Sequence, residues 1–563
     1  MRLFLSFALI LTSLAAVSAP PLFTEEAATR GLRFTQFNGM SGEFYFAENL
    51  GGGVALFDYD NDGDLDVYLT QGHMLGEGKT LQDALFPPPP DMPLSDRLFR
   101  NDLDAKSGAH FVDVTEQAGI EAHGYGMGVA TGDYDNDGDV DLLVTNLVGV
   151  QLWRNNGKGR FEDLTLAAGL TTRSWPVSAT FLDFDRDGLL DLYLANYVEF
   201  TTARNKPCYA PTSARDYCSP LVYPVGQDQL YHNIGNGRFI EVTDSAGINQ
   251  ASGPALGVVA ADFNGDGWTD IYVANDAAAN QLWINQKDGS FLDDAFLAGA
   301  AVNMDGKPEA SMGVDAADFD ADGDEDLFMT HLTGETNTIY VNNGEGWFED
   351  RSLATGLAAP SKGYTSFGTA WFDYDNDGLL DLFAANGEVR TVPILAHAGD
   401  RYPLHQPNQL FHNLGNARFV ETTAEAGDSL KPSEVSRGSA FGDIDNDGDT
   451  DIVVANNNGP VRLLINQTGN ANHWIGLRLV DRHGRDAIGA RVKFSRKGQA
   501  DLWRRARTDG SYASANDSRI LLGLGDSATA VTTEVHWPDG KVETWKDLGT
   551  DRYHALTEGE PPQ

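Results

Sequence analysis

Short apolar runs separated by polar turns recur along most of the chain, and they predict strands instead of long helices. Runs such as "LDVYLT" (65–70) and "DIYVAN" (270–275) have the length and the β-branched and aromatic content of strands. Phrases such as "QLWRN" (151–155) and "FEDLTLAAGL" (161–170) follow them. Each unit therefore predicts four short strands, and such units repeated every ~50–80 residues are typical of propeller blades.

An aspartate-rich turn precedes the second predicted strand of every unit. The pattern D-x-[DN]-x-D-G-x-x-D occurs seven times, starting at residues 58, 133, 183, 262, 318, 373 and 443. Seven units predict an all-β fold, a seven-bladed β-propeller. Five residues before each turn stands a small residue, as expected for an innermost strand near the axis: Gly53, Gly128, Ser178, Gly257, Gly313, Gly368 and Gly438.

The last unit lacks the phrase that ends the other six. Nothing like "FEDLTLAAGL" follows "RLLIN" (462–466), but a degenerate copy, "FTEEAATRGL", stands at 23–32. We expect the N-terminal strand to complete the last blade, which removes an unpaired sheet edge. An open solenoid is the alternative, and it leaves the N-terminal phrase without a role. The predicted propeller covers 20–467, and 468–563 predicts a small C-terminal β domain.

The turns have the donor pattern of a hard-cation site. Side chains at positions one, three, five and nine and the carbonyl at position seven supply oxygen, and the glycine at position six allows a sharp turn. Calcium is favoured over magnesium because it accepts more ligands in flexible loops. An EF-hand is excluded because position twelve is apolar in every turn. The seven predicted ligand sets are Asp58, Asp60, Asp62, Asp64 and Asp66; Asp133, Asp135, Asp137, Asp139 and Asp141; Asp183, Asp185, Asp187, Leu189 and Asp191; Asp262, Asn264, Asp266, Trp268 and Asp270; Asp318, Asp320, Asp322, Asp324 and Asp326; Asp373, Asp375, Asp377, Leu379 and Asp381; and Asp443, Asp445, Asp447, Asp449 and Asp451. Of these up to seven calcium sites, we expect the one with Asn264 to be the weakest.

Charge and the N-terminus restrict the partners and the compartment. A formal net charge of -42 argues against nucleic acid and anionic lipid as partners. Residues 1–19 have the layout of a cleavable secretory signal, and we expect no membrane insertion. Cys208 and Cys218 are the two cysteines, and in an exported protein we expect them to pair, with two free thiols as the alternative.

Three long insertions fall in the same kind of turn, between the second and third strands. They span 71–95, 197–227 and 387–407 and should lie on the face opposite the aspartate-rich turns, where long loops on a rigid scaffold often bind ligands. Surface decoration is the alternative. Thirteen residues after each first aspartate stands an amide or a histidine: Gln71, Asn146, Asn196, Asn275, His331, Asn386 and Asn456. These side chains cap turns or contact a ligand, and Gln71 and His331 are the stronger candidates for contact. Neighbouring candidates are His73, Tyr197, Asp276, Glu335, Glu388 and Arg390.

The repeats resemble the FG-GAP/VCBS repeats of integrin α-subunit propellers over 20–467. The final segment resembles the ASPIC/UnbV domain through "AIGARVKF" (487–494), "LLGLG" (521–525) and "VHWPDGKVETW" (535–545). The whole order is similar to the cartilage acidic protein family. The resemblance implies calcium in the loops and an extracellular binding role, without a defined activity.

The sequence contains no G-x-S-x-G, H-E-x-x-H or phosphate-loop motif. The leading hypothesis is a secreted, extracellular or periplasmic, calcium-stabilised binding or adhesion protein for a glycan or protein ligand. The alternative is a polysaccharide lyase or hydrolase that uses the insertion-bearing face. The basic stretch "RKGQADLWRRAR" (496–507) either docks against the acidic repeats, binds an anion or is solvated.

Overall fold

The computed structural model describes residues 20–104, 106–210, 213–496 and 498–560, so the predicted signal at 1–19 lies outside the described residues. Most of its strands form seven four-stranded antiparallel sheets in a propeller-like, all-β arrangement. We number them sheets 1 to 7 along the chain. The innermost strands, in that order, are Val54–Phe57, Gly126–Gly132, Pro176–Leu182, Ala255–Ala261, Val314–Ala317, Ser366–Phe372 and Ser436–Gly442.

The other strands of each sheet follow outward in chain order. The second strands are Asp66–Leu69, Asp141–Asn146, Asp191–Asn196, Asp270–Asn275, Asp326–Met329, Asp381–Asn386 and Asp451–Asn456. The third strands are Arg97–Asn101, Val150–Asn155, Gln229–Asn233, Gln281–Asn285, Thr338–Asn342, Gln409–Asn413 and Arg462–Asn466. The outermost strands are Phe111–Asp113, Phe161–Asp163, Phe239–Glu241, Phe291–Asp293, Phe348–Asp350, Phe419–Glu421 and, for sheet 7, Phe23–Glu25.

The N-terminal strand lies where the repeat count predicts it. Phe23–Glu25 pairs antiparallel with the third strand of sheet 7, with Phe23 opposite Asn466 and Thr24 opposite Ile465. Innermost strands contact each other in chain order, and the first contacts the seventh. A separate apolar cluster fills the space between each neighbouring pair of sheets, including sheets 7 and 1.

The small residues of the innermost strands are explained by crowding between neighbouring sheets. A Cβ atom added to Gly53 would lie 2.7 Å from the Cα of Gly128, and one added to Gly368 would lie 2.7 Å from the carbonyl oxygen of Arg437. Both distances are shorter than van der Waals contact, so a larger side chain would push the sheets apart.

The C-terminal region folds as two further sheets around its own apolar cluster. A parallel pair, between the first and last strands, occurs here. A hairpin with its turn at Asp539-Gly540 joins Val531–His536 to Val542–Leu548. The strands of this region are His473–Val480, Arg491–Ser495, Leu502–Arg505, Ile520–Gly525, Val531–His536, Val542–Leu548 and Tyr553–Thr557.

The helices are short, and among the described residues none is long and apolar enough to cross a membrane. The α-helices are Thr115–Ala118, Ala295–Ala298, Ser352–Thr355, Ala358–Ser361 and Pro393–His397. The 3-10 helices are Phe46–Asn49, Leu81–Asp83, Thr202–Arg204, Pro220–Val222, Ile248–Gln250 and Gly469–Ala471. Two small strand pairs join Cys208–Tyr209 to Arg215–Asp216 and Gln406–Pro407 to Ser433–Glu434.

Candidate metal centres and the insertion face

Each aspartate-rich turn joins the innermost strand of a sheet to its second strand. We call these seven turns loops 1 to 7, by the number of their sheet. Two residues of each loop have a positive φ, at positions four and six. In loop 1 these are Asn61, with φ 61°, and Gly63, with φ 93°. Glycine adopts this conformation without steric cost, and asparagine tolerates it better than most residues. Sequence reasoning explained position six and missed position four, where four of the seven loops carry asparagine.

The carboxylates at positions one and nine hold the loop through backbone hydrogen bonds. Asp58 accepts from the N–H groups of Asp62 (3.1 Å) and Gly63 (3.0 Å). Asp66 accepts from the loop residue Tyr59 (2.9 Å) and from Asn101 of the third strand (2.8 Å). Burial raises the pKa of Asp66 well above its ordinary value. The two bonds of position nine recur at Asp141, Asp191, Asp270, Asp326, Asp381 and Asp451.

Several loop oxygens have no protein partner. In the described part of the chain, Asp60, Asp135, Asp375 and Asp445, all at position three, each bury an Oδ1 atom that makes no hydrogen bond. Such an oxygen is costly unless a cation or donor satisfies it. In loop 1, oxygens of Asp58, Asp60 and Asp62 lie within 4.8 Å of one another. This donor set fits a hard divalent cation, and the ligand assignments stay predictions.

Crowding and burial also perturb the titration of these groups. Burial, with repulsion from Asp62, raises the pKa of Asp58 to about 6. The same dominant cause, burial, raises the pKa of Asp133 and of Asp183 to about 6. A bound cation would favour the charged forms and lower these pKa values.

The loops are not equivalent. In loop 4, Asn264 Oδ1 accepts from the N–H of Asp266 (3.0 Å), and Lys287 Nζ lies 3.2 Å from the Asp266 carboxylate. Loop 4 thus carries a carboxamide at position three and a lysine beside position five, and its weaker binding stays a prediction. In loops 3 and 6, a histidine of the third strand contacts the position-nine aspartate. Hydrogen bonding to that carboxylate raises the pKa of His232 to about 8 and that of His412 to about 9.

In every sheet except sheet 6, the asparagine that ends the third strand joins its sheet to the preceding one. Asn155 Nδ2 donates to the carbonyl of Tyr59 in loop 1 (2.6 Å), and Asn101 Nδ2 donates to the carbonyl of Ile444 in loop 7 (3.0 Å). The second bond links sheets 1 and 7. The sequence carried a signal for this role, since every phrase of the "QLWRN" type ends in asparagine.

The C-terminal region covers the loops. Arg504 Nη2 donates to the carbonyl of Gly378 in loop 6 (3.1 Å), and Asn470 Nδ2 donates to Asp447 in loop 7 (2.6 Å). Tyr553 donates its hydroxyl to Asp443 in loop 7 (2.9 Å). Arg507 pairs with buried Asp315 at 2.6 Å. The basic stretch 496–507 therefore docks against the acidic repeats, as one of its predicted roles requires.

A loop of the C-terminal region, residues 506–517, lies on the axis of the sheet array, and we call it the axial loop. Its backbone bonds sheets 1, 2 and 5: Ala515 N–H donates to Val54 (2.9 Å), Ala513 accepts from Val129 (3.1 Å), and Ser511 accepts from Val314 (3.0 Å). Side-chain bonds reach the other sheets, through Asp509 to sheets 3 and 4 and through Ser511 to sheets 6 and 7. Sequence reasoning missed this loop, because "GSYASANDS" carries no strand or helix periodicity.

The three insertions pack together on the opposite face, which we call the insertion face. Phe86 of the first insertion lies 5.2 Å, ring to ring, from Tyr402 of the third. Tyr217 of the second insertion shares an apolar cluster with Tyr402 and Met40. The predicted disulfide is confirmed: Cys208 and Cys218 are bonded, with their Cα atoms 5.2 Å apart.

Family models match both parts of the chain. The FG-GAP-like repeat model matches residues 133–194, 221–273, 262–329 and 318–384. The ASPIC and UnbV model matches residues 480–563. The chain carries FG-GAP-like repeats and an ASPIC/UnbV domain.

Curated relatives with the same resemblance are cartilage acidic proteins. Cartilage acidic protein 1 of Xenopus tropicalis is 27% identical over 329 residues, which is 56% of this chain and 47% of the relative. The Homo sapiens protein of that name is 28% identical over 310 residues, covering 54% and 43%. The chain therefore spans about half the length of the curated relatives it matches.

Among solved structures, similarity is limited. A lectin from Burkholderia pseudomallei has a TM-score of 0.42 and 10% identity, covering 74% of this chain and 96% of that one. An Agrocybe aegerita lectin that recognises non-reducing terminal N-acetylglucosamine has a TM-score of 0.36 and 16% identity, covering 66% and 79%. Scores below 0.5 say nothing about the function of this chain.

The ring of amides lies buried under the insertions, at the ends of the second strands of the FG-GAP-like repeats. Gln71 Oε1 accepts from the N–H of Phe37 (2.6 Å), and Asn386 Nδ2 donates to the carbonyl of Pro407 (2.8 Å). Asn196, Asn275 and Asn456 likewise bond nearby carbonyls. The bonds of Asn275 and Asn456 span four residues and cap turns, whereas Gln71 bonds a segment 34 residues earlier in the chain. Ligand contact stays a prediction. Asn146 is buried as well.

The other predicted ligand-face residues divide into a buried group and an accessible group. His331 is 2% exposed, and burial lowers its pKa to about 4, so it is neutral at pH 7. Tyr197 donates its hydroxyl to buried Asp276 at 2.5 Å. Burial raises the pKa of Asp276 to about 6, and repulsion from Glu335 adds to this rise. Attraction to Arg390 opposes it. Glu388 is buried and accepts from Thr365 (2.9 Å), whereas His73 is partly exposed and Arg390 is exposed.

Two cavities of ligand size stand on opposite sides of the molecule. One of about 330 Å³ opens on the insertion face between the first and third insertions. It is lined by rings and prolines, including Phe86, Pro88, Tyr402 and His405, with Arg401 at its side. The other, of about 510 Å³, lies between loops 1 and 2 and the C-terminal region, beside Arg478 and Ile488.

Proposed function

We propose that the protein is an exported, calcium-stabilised seven-bladed propeller that binds an extracellular glycan or protein ligand on its insertion face. The propeller spans 20–467 and is completed by the N-terminal strand, and 468–563 forms a β domain that covers the loops. A signal at 1–19 and the disulfide support export, because disulfides persist in oxidising compartments.

We choose the insertion face because the C-terminal domain covers the opposite side of the sheet array, where the loops lie. The C-terminal domain occupies the side of the loops and fills the axis with the axial loop. The insertion face has no such domain in the described residues, and there two insertions form the groove of about 330 Å³. Its rings and prolines offer flat apolar surface, and Arg401 and His405 supply polar contacts, which is the usual make-up of a recognition site.

Calcium supports this role by holding the scaffold. The oxygens of positions one, three, five and nine and the carbonyl of position seven would hold each ion. The unpartnered buried oxygens of Asp60 and its counterparts support this assignment. A bound ion joins an innermost strand to the third strand of its sheet through the position-nine carboxylate, so it would stiffen the frame that carries the insertions.

The experiment is a glycan array and a panel of extracellular matrix proteins, followed by affinity measurement on each hit. We expect the double variant Arg401→Ala/His405→Ala to bind at least tenfold more weakly, with an unchanged melting temperature. Arg351→Ala, at an exposed site on sheet 5 far in sequence from the insertions, is the matched control. Unchanged affinity in the groove variant would contradict the assignment, and a loss confined to Arg478→Ala would move the site to the cavity of about 510 Å³.

A polysaccharide-active enzyme is the second candidate, and the Tyr197–Asp276 pair favours it. A carboxyl with a pKa near 6, hydrogen-bonded to a tyrosine and near a second carboxylate, Glu335, has features of an acid–base group. Asp276 is 8% exposed, so a substrate would need a movement of the surrounding residues to reach it. Chromatography of glycan hits after prolonged incubation decides: new products that disappear in Asp276→Asn establish the enzyme, and intact glycan leaves the binding function.

A further inference from the structure

Loops 3 and 6 differ from the other five in a way that changes their donor chemistry. The residue before the final asparagine of the third strand is Arg100, Arg154, His232, Ile284, Val341, His412 or Ile465 in sheets 1 to 7. Both histidines turn toward their own loops. His232 Nδ1 lies 3.1 Å from Asp191 Oδ1 and 3.6 Å from Asp185 Oδ2. His412 Nδ1 lies 3.1 Å from Asp381 Oδ1 and 3.8 Å from Asp375 Oδ2.

A second change accompanies the histidine in these two loops. Position seven is Leu189 in loop 3 and Leu379 in loop 6, whereas the other loops carry aspartate or, in loop 4, tryptophan. Each of these two sites therefore has one carboxylate fewer nearby and one imidazole more. In both, the histidine and two aspartates place one donor atom each within 4.8 Å of the others.

An independent feature of loop 3 points to a bound cation. Asp183, at position one, is 7% exposed, and within the described residues its buried Oδ1 has no hydrogen-bond partner. Asp185 of the same loop belongs to two donor clusters, one that includes Asp183 and one that includes His232. In loop 6 the unpartnered atom is Oδ1 of Asp375, which stands at position three and is partly buried. A carboxylate oxygen buried without a donor is costly, and a cation shared with the neighbouring donors removes that cost.

We propose that loops 3 and 6 are mixed nitrogen–oxygen sites that bind a first-row divalent transition ion, with His232 and His412 as the nitrogen ligands. The inference rests on the proposed cation-binding role of the loops. Imidazole is a poor ligand for calcium, which takes oxygen, and a good ligand for zinc and its first-row neighbours; manganese takes the carboxylates of the same site.

The competing explanation is that the histidines are only counter-charges. Arg100 and Arg154 occupy the same strand position in sheets 1 and 2, and a guanidinium cannot bind a metal ion. A protonated histidine could have the same role. The experiment must therefore detect a bond from metal to nitrogen, which a counter-charge cannot give.

The test uses the full chain in excess calcium, with Mn²⁺ added to two equivalents. Pulsed electron paramagnetic resonance reports modulation from a directly bonded ¹⁴N nucleus. We expect this signal in the native protein and its loss in His232→Arg/His412→Arg, which copies sheets 1 and 2. We also expect Zn²⁺ binding, measured by chelator competition, to weaken at least tenfold in that variant. His123→Arg, at an exposed position outside the loops, is the matched control and should retain both properties.

The outcomes separate this inference from the proposed function. The inference is wrong if ¹⁴N modulation is absent in the native protein or persists in the double variant. The proposed calcium role would still hold in that case if the melting temperature depended on calcium. Absence of any effect of divalent ions would overturn both. A calcium melt of the double variant equal to that of the native protein shows that the variant is folded. Ile284→His, in the third strand of sheet 4 beside loop 4, should create a third site with ¹⁴N modulation.

Discussion

The two faces of the sheet array are built from the same repeats but use them differently. On the loop side the seven turns have one length and nearly one sequence, and their carboxylates bond the same backbone groups. On the insertion face three of the seven turns between second and third strands are long, and Phe86, Tyr217 and Tyr402, one from each, share an apolar cluster.

The difference has a physical reason. A loop that holds a cation and bonds two strands tolerates no change in length, because each donor must keep its position. A turn that only connects two strands can lengthen at a small entropic cost, since closing a loop becomes only slightly harder as it grows. Rigidity on one side thus permits diversity on the other, where binding usually lies.

The largest expected effect is the removal of metal, which acts on the loop side alone. At about 1 mM calcium, a site with a dissociation constant of about 0.1 mM contributes about 1.4 kcal/mol to the free energy of unfolding, so seven sites contribute on the order of 10 kcal/mol. We expect excess EDTA to lower the melting temperature by roughly 10 °C or more, in native protein and in Arg401→Ala/His405→Ala alike. An unchanged melting curve after exhaustive dialysis against chelator would contradict calcium stabilisation.

The next largest effect is a loss of stability on substitution of Tyr512 in the axial loop, which contacts both sides of the sheet array. Tyr512 is fully buried, its ring packs against Phe367 at 4.9 Å, and its hydroxyl donates to the carbonyl of Leu50 (2.9 Å). Tyr512→Ala should cost about 3–5 kcal/mol of the free energy of unfolding, measured in urea. Tyr512→Phe removes only the hydrogen bond and should cost about 1 kcal/mol. Equal, small losses in both variants would show that the axial loop is not coupled to the sheets.

The smallest effect tests the insertion side through its buried acid, Glu48. Burial raises the pKa of Glu48 to about 8, and Tyr217 of the second insertion donates to it at 2.8 Å. A raised carboxyl pKa means that Glu48 stays protonated up to a higher pH in the folded state than in the unfolded state. Its contribution to stability is complete below the ordinary pKa of about 4.5 and is lost as pH rises toward 8.

Glu48→Gln keeps a neutral acceptor for Tyr217 and should abolish this loss. Between pH 5 and 8, we expect the stability of the variant relative to the native protein to rise by about 3 kcal/mol, measured by urea unfolding at each pH. Glu345→Gln, at an exposed position, is the control for removing one negative charge. A pH-independent difference would show that Glu48 is ionised in the folded protein.

Much of the frame could be predicted from the sequence because its signals are local and repeated. The loop motif, the strand phrases after it and the N-terminal copy at 23–32 located the sheets, and Phe23–Glu25 pairs with Arg462–Asn466 as that copy implies. The disulfide followed from two cysteines ten residues apart. The three insertions were visible as changes in the spacing between phrases.

Only the tertiary structure showed what fills the axis and what covers the loops. Ser511, Ala513 and Ala515 look like an ordinary polar turn in sequence, yet they bond innermost strands hundreds of residues away. The innermost strands leave backbone groups without a partner in their own sheet on the side of the axis. These groups surround the axial loop only when all seven sheets are in place. His232 and His412 make the same point on a smaller scale. Their phrases were visible in the sequence, but only the pairing of second and third strands brings each imidazole to its loop.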